Sequence, residues 1–261
     1  LILLELGVSI WRKQRNYDWR DFGGSMSQLA GNIAVQLTTR GAILALYISL
    51  YNYRPFTVPT NIWGLLLLAV VLDFQFYWYH RASHRVRILW AIHVAHHSSE
   101  NMNFGIALRQ SWFGPLSKPL FYWPVPLLGF DPLAIMAVGG MLTIYGFWTH
   151  TEQIKSIGYL NRLFVSPAHH RVHHGSNPIY IDKNYANFLI IWDKIFGTFQ
   201  DEVEPVRYGL TQNINSYNPL KIATHEFAAI AKEATSAKRN RSLRQVVFGT
   251  PAAAENIEPS S

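Results

Sequence analysis

Apolar residues along this chain gather into a few long blocks, and block length decides what each can become. Residues 28–51 form one block, interrupted only by Arg40. A second begins near Ile62, is apolar at every position from Leu65 to Leu72, and continues through Phe74, Phe76, Tyr77, Trp78 and Tyr79. A bilayer core needs about 20 apolar residues in a helix. Both blocks therefore predict membrane spans, and the aromatic band predicts the interface at the end of the second. From Gln110 to His150 runs a longer apolar stretch broken by Pro115, Pro119, Pro124, Pro126, Gly129 and Pro132. It predicts a helical hairpin that turns near Gly129–Pro132. Leu1 to Trp11 is apolar but too short to span, and it lacks a basic leader. It reads as the end of a helix that starts further upstream, not as a signal peptide. Arg12, Lys13, Arg15 and Arg20 follow and predict a cytoplasmic loop. Gly23 and Gly24 punctuate, with Ser25 or Ser27 as the expected cap of the next helix.

Past Thr151 the chain turns soluble in character. Ala186 to Phe199 is apolar enough to pack against a buried site or to lie at the interface. Residues 221–248 predict one amphipathic basic helix, and 249–261 a disordered tail. The expected organisation is an all-α membrane bundle over residues 1–150 and a cytoplasmic cap over 151–248, acting as a single functional unit. Composition agrees: 49% of the 261 residues are hydrophobic and only 15% are charged, against about 25% charged in ordinary soluble domains. The net charge of +7 is dispersed beside the apolar blocks, as membrane-flanking charge is, so nucleic acid is not an expected partner. With no cysteine, disulfides, thiolate zinc sites and iron–sulfur clusters are excluded.

The chemistry lies in the histidines. His93, His96 and His97 stand at i, i+3 and i+4, as do His170, His173 and His174, while His80 and His84 form an i, i+4 pair. On helices each set projects from one face. His150 ends the third apolar stretch, and a polar residue there usually serves a site. Whether that stretch crosses the membrane or re-enters it, parity returns His150 to the side of the other clusters. His169 points away from the face shared by its neighbours. A lone histidine such as His225 reads as a solvated or capped residue; His225–Glu226 begins a His-Glu-x-x-His zinc motif, but position 229 is alanine. Neutral imidazole suits iron, zinc, copper or nickel. Nine histidines exceed what one ion takes and are about right for two. Soluble di-iron bundles use Glu-x-x-His pairs, and none occurs here.

The set His80-x-x-x-His84, His93-x-x-His96-His97 and His170-x-x-His173-His174 resembles the fatty acid hydroxylase/sterol desaturase superfamily of membrane di-iron oxygenases. Longer runs at 93–111, 148–154, 166–199 and 208–220 resemble the alkylglycerol monooxygenases within it. The resemblance covers roughly residues 60–220. It implies four to five membrane helices under a cytoplasmic helical cap, with two iron ions at the junction. The eight motif histidines carry over as iron ligands, and His150 matches an additional family histidine. Some members have a further histidine one turn on; Ile154 stands there, so water or a carboxylate would complete that shell. Glu100 matches a polar position near the metals and is the expected catalytic side chain. Asp182, Asn184, Asn187 and Asp193 match residues that would orient the imidazoles.

The activity implied is hydroxylation of a lipid C–H bond with dioxygen as co-substrate. For an alkylglycerol ether this releases a fatty aldehyde, with electrons from tetrahydrobiopterin. The expected location is a bacterial inner membrane or the endoplasmic reticulum, with the site on the cytoplasmic face. Three alternatives stay open. One is hydroxylation or desaturation of a sterol or fatty-acyl lipid, fed by a cytochrome or ferredoxin. Another is a membrane zinc or metal-handling protein, and the last a redox-inactive structural metal site.

Overall fold

The computed structural model describes residues 1–236 and 241–251. The tail expected at 249–261 lies, beyond Pro251, outside the described residues. A short helix α1 (Ile2–Trp11) precedes the first long one, α2 (Trp19–Tyr51). The cap of α2 is Asp18, whose carboxylate accepts from the Arg20 and Asp21 amides at 2.7 and 3.0 Å. Ser25 and Ser27 therefore do not cap it, and Gly23 and Gly24 stay inside the helix. An aspartate satisfies two of the free first-turn amides at once, which outweighs the glycine propensity penalty. Gly24 also leaves room for a neighbour: a Cβ there would stand 3.2 Å from the Arg109 guanidinium.

Helix α3 (Ile62–Arg85) starts on Asn61, whose side chain accepts from the Gly64 amide at 3.0 Å. Val86 in extended conformation breaks it, and α4 (Arg87–His97) follows at once. After α5 (Phe104–Ala107), the first arm of the expected hairpin becomes three single turns, α6 (Gly114–Ser117), α7 (Pro119–Tyr122) and α8 (Pro124–Leu127). Each carries a proline at its start. Proline is tolerated there and disruptive further in, so the spacing of prolines sets the spacing of turns. Gly129 at φ +83 makes the reversal, and Asp131 caps the long return arm α9 (Pro132–Trp148).

Among the described residues, α2 and α3 are the two helices long and apolar enough to cross a membrane; α9, with 17 residues, is shorter. Tyr47, Leu68, Leu72, Val125, Phe130, Ile135 and Val138 form the core between α2, α3, α8 and α9. The outer faces remain aliphatic: Leu37, Leu46, Leu66, Leu67, Met141 and Ile144 are exposed. Such a surface is costly in water and costs nothing against lipid.

Past His150 the chain is mostly loop, holding a 3₁₀ turn (Gly158–Arg162), α10 (Pro167–His173) and α11 (Ile191–Ile195). The helix expected over 221–248 is two among the described residues, α12 (Pro219–Thr235) and α13 (Leu243–Phe248). Helix α12 lies on α4, fastened by the buried Arg87, which pairs with Glu226 at 2.8 Å and with Glu233. Ala91, Ile230 and Val246 fill the space between α4, α12 and α13.

Candidate metal centre

Three helices end at one place. The last two turns of α3 bring His80 and His84, α4 brings His93, His96 and His97, and α10 with its C-cap brings His170, His173 and His174. His150 follows the end of α9. The nine imidazoles sort into two groups, each with ligand atoms within 4.8 Å of one another: His80, His84, His93, His97 and His173 in one, His96, His150, His170 and His174 in the other. The groups do not follow the sequence clusters. Each HxxHH segment splits, its i and i+4 histidines going to one group and its i+3 histidine to the other. Helix α4 gives two to the five-imidazole group and α10 gives two to the four-imidazole group, so the helices are exchanged partners. The groups touch where the rings of His97 and His174 stack at 4.4 Å.

Within each group the Nε2 atoms converge. Successive Nε2–Nε2 distances are 2.9 Å (His80–His93) and 3.1 Å (His93–His97) in the first. In the second they are 3.2 Å (His96–His150), 2.8 Å (His150–His170) and 3.1 Å (His170–His174). Nitrogens each about 2.1 Å from a shared ion stand about 3.0 Å apart at a right angle and about 3.4 Å apart at the tetrahedral angle. The observed spacing is the right-angled one.

What aims the rings is their other nitrogen. Nδ1 of His80 donates to the Tyr185 carbonyl at 2.7 Å, of His173 to the Lys183 carbonyl at 3.0 Å, and of His150 to the Gly146 carbonyl at 2.9 Å. Each bond selects the tautomer whose Nε2 lone pair faces inward. His84 turns Nδ1 toward the Asp182 carboxylate at 3.7 Å. Thus the stretch 182–185 lies along the five-imidazole group and orients three of its rings. Asp182 and Asn184 hold left-handed φ of 60 and 55, a conformation aspartate and asparagine tolerate better than other side-chain-bearing residues.

Burial makes these imidazoles bases held neutral. His93, His96, His97, His170, His173 and His174 are all held well below the ordinary histidine range, first by burial and then by their imidazole neighbours. Burial lowers His150 to about 4. Nε2 of His84 and of His173 and Nδ1 of His96 are buried without a hydrogen-bond partner. Neutral, convergent and partly orphaned nitrogens fit metal ions.

The other expected residues fall in varied places. Asp193 is buried and accepts from the Tyr185 and Ala186 amides, both at 2.8 Å, and from the Thr198 hydroxyl. Asn184 donates to the His169 and Gln200 carbonyls. Asn187 donates to the Leu142 carbonyl at 2.9 Å and packs so closely on Gly146 that a Cβ there would meet its Oδ1 at 2.4 Å. Glu100 is exposed and outside both imidazole groups, in the wall of a separate cavity of about 290 Å³ with Arg15, Glu152 and Tyr208. His169 is buried away from both groups, its Nδ1 accepting from the Ser166 amide at 3.3 Å. His225 lies on the wall of another cavity, of about 250 Å³, which reaches His84, His97, His173 and His174.

Three supporting charges escaped the pattern reading. Asp73, fully buried in α3, accepts from the Phe188 and Leu189 amides and the Trp192 indole, all at 2.9 Å. Arg109 ties the α4 terminus, through the Ala95 carbonyl at 3.0 Å, to Asp21 of α2 at 3.1 Å. Arg171, between two histidines of α10, donates to the carbonyls of Thr151 and Ile154 and to Glu202. A charge inside an apolar or histidine-rich run was the only available signal. Their partners lie far along the chain.

Two buried imidazole groups at the ends of apolar helices form a candidate two-metal centre, and comparison with known proteins places the chain in a family. The chain belongs to the fatty acid hydroxylase family, whose sequence model matches residues 65–198. It is similar to the alkylglycerol monooxygenase of Homo sapiens, 42% identical over 88% of this chain and 52% of that protein. The alkylglycerol monooxygenase of Xenopus tropicalis is 46% identical over 85% of this chain and 50% of its own length. Ornithine lipid hydroxylase OlsE of Rhizobium tropici is 30% identical over 54% of this chain and 43% of that protein. The chain thus spans about half the length of the alkylglycerol monooxygenases it matches. No solved structure matches it.

Proposed function

We propose that this chain forms the catalytic part of a membrane di-iron monooxygenase that hydroxylates a lipid C–H bond, with an alkylglycerol ether as substrate. The observation that carries this is the pair of imidazole groups, set beside 42–46% identity to alkylglycerol monooxygenases. His80, His84, His93, His97 and His173 would hold one iron and His96, His150, His170 and His174 the other. Five imidazoles exceed the four ligands of a structural zinc, and near-right-angle spacing favours an ion of higher coordination number. Iron, when bound, supplies the power to activate dioxygen and oxidise an unactivated C–H bond.

The chain's own residues keep the centre dry and aimed. Carbonyls of Gly146, Lys183 and Tyr185 hold three imidazoles in the ligating tautomer, and Asp182 supports a fourth. Asp193 fixes the end of the stretch 182–185 through the Tyr185 and Ala186 amides, Asn184 ties it to α10, and Asn187 just beyond it ties the following loop to α9. Overall, one oxygen atom enters the alkyl carbon next to the ether oxygen and the other leaves as water, consuming two electrons and two protons. The hemiacetal formed collapses to a fatty aldehyde and the glycerol moiety. Tetrahydrobiopterin is the proposed electron source, with a cytochrome or ferredoxin as the other possibility. Glu100 does not face the imidazoles; its proposed part is to hold a polar reactant in the cavity it shares with Arg15, Glu152 and Tyr208.

Helices α2 and α3 and the proline-broken hairpin 114–148 would lie in the bilayer, making up the four to five membrane elements. The histidine ends would face the cytoplasm, at a bacterial inner membrane or the endoplasmic reticulum. The test is metal content of the purified protein with a product assay on alkylglycerol, with and without tetrahydropterin. Two irons per chain and pterin-dependent aldehyde are expected. Two irons without aldehyde would move the substrate to a sterol or acyl lipid. Zinc alone with no oxygen uptake would remove the oxygenase reading.

A further inference from the structure

The four-imidazole group takes one ligand, His150, from beyond the end of a helix. Helix α9 stops at Trp148, so His150 keeps one tie to it, the Nδ1 bond to the Gly146 carbonyl at 2.9 Å, and its place also depends on what holds the loop that follows. The neighbouring Thr151 is fully buried and gripped from two sides. Its carbonyl accepts from Arg171 at 3.0 Å. Its hydroxyl donates to the Glu5 carboxylate of α1. Glu5 is 3% exposed, and its other oxygen accepts from the Phe104 amide at 2.7 Å and the Tyr17 hydroxyl at 2.6 Å. One buried carboxylate thus gathers a donor from the loop that follows α1 and two from segments distant in the chain. A buried carboxylate is expensive unless fully bonded, and leucine could have docked an otherwise apolar helix.

We propose that Glu5 is a positioning residue for the four-imidazole group, setting the place of His150 through Thr151. This rests on the metal-centre reading but not on the substrate. Helix α1 lies outside the 65–198 region that matches the family, so the anchor comes from a part of the chain that contributes no ligand.

The test is titration of metal-stripped protein with Zn²⁺, read as two binding steps and as metal equivalents per chain, apart from any turnover. Loss of a residue that orients a metal ligand typically weakens metal binding roughly 10–100-fold. Thr151→Val removes the hydroxyl while leaving Glu5 its other two donors; it should weaken one step by that factor and leave the other unchanged. Glu5→Gln should do the same, Thr151→Ser should restore two tight steps, and Tyr17→Phe should keep both. Equal weakening of both steps, or two tight steps in Thr151→Val, would overturn the proposal. Should Glu5→Gln fail to fold, the Thr151 pair decides alone. Wild-type protein that binds two zinc ions in this titration but, once loaded with iron instead, never oxidises alkylglycerol would sink the substrate reading and leave this one standing.

Discussion

The two imidazole groups are built from the same helices by opposite means. The five-imidazole group takes an i, i+4 pair from α3, another from α4 and a single ring from α10. The four-imidazole group takes an i, i+4 pair from α10, a single ring from α4, and His150 alone where the first has His80 and His84. The counterpart of a second residue would fall at Ile154, but the chain has already left the helix, and the Ile154 carbonyl is used by Arg171. Asp182, Lys183 and Tyr185 line the first group; backbone contacts at Gly146 and Thr151 hold the second. Both groups take helical i, i+4 pairs, but the first adds a second pair from α3 where the second adds one residue, His150, from beyond the end of α9. The four-imidazole group, with one imidazole fewer and one ligand on a loop, should be the more labile half.

The largest effect should come from crossing the exchange between helices. His96→Ala and His97→Ala alter adjacent residues yet should empty different groups, each variant keeping about one metal per chain and losing turnover to background. Loss of the same metal from both would break the pairing drawn here. Next comes Arg171→Ala, which leaves the Thr151 and Ile154 carbonyls without their donor and releases the exposed Glu202. Glu202 can turn to solvent, so the cost comes mainly from the buried backbone carbonyls left without a donor, about 1–3 kcal/mol each. The substitution should lower the melting temperature and release the four-imidazole metal first.

Acid should act on both groups, with a sign fixed by burial. An unfolded histidine takes a proton near pH 6.5, whereas folded His150 resists until about 4. The unfolded state therefore binds more protons as pH falls through that window. Stability is full above about 6.5 and declines toward about 4. Metal-stripped protein should show this in denaturant midpoints measured across pH, and a flat profile would contradict neutral burial. Gly146→Ala should cost about 1–3 kcal/mol by overpacking against Asn187, with the four-imidazole metal more labile. The smallest metal effect belongs to Glu100→Ala: both metals retained, with a raised KM for the electron donor. Loss of metal there would bring Glu100 into the centre itself.

Much of this was legible in the chain. The aliphatic blocks predicted α2 and α3, the prolines and Gly129 predicted a broken hairpin, and the i, i+3, i+4 spacing predicted convergent imidazoles. These are local signals, because helical period, proline geometry and span length involve residues within a few turns of one another. His169 was separable for the same reason, since its angle on α10 turns it away from its neighbours. The start of α2 was misread because two glycines and two serines outweighed a single aspartate that caps two amides.

The sequence by itself determined the nine clustered or helix-end imidazoles, too many for one ion, and the apolar blocks whose ends carry them. Only the tertiary structure decided how the nine divide, why Glu100 stands apart, and which buried charges brace the site. Adjacent residues on a helix point about 100° apart, so neighbours in sequence can serve different ions. The partners that complete each group, and the donors gathered by Asp73, Arg171 and Glu5, come from segments whose meeting no local pattern records.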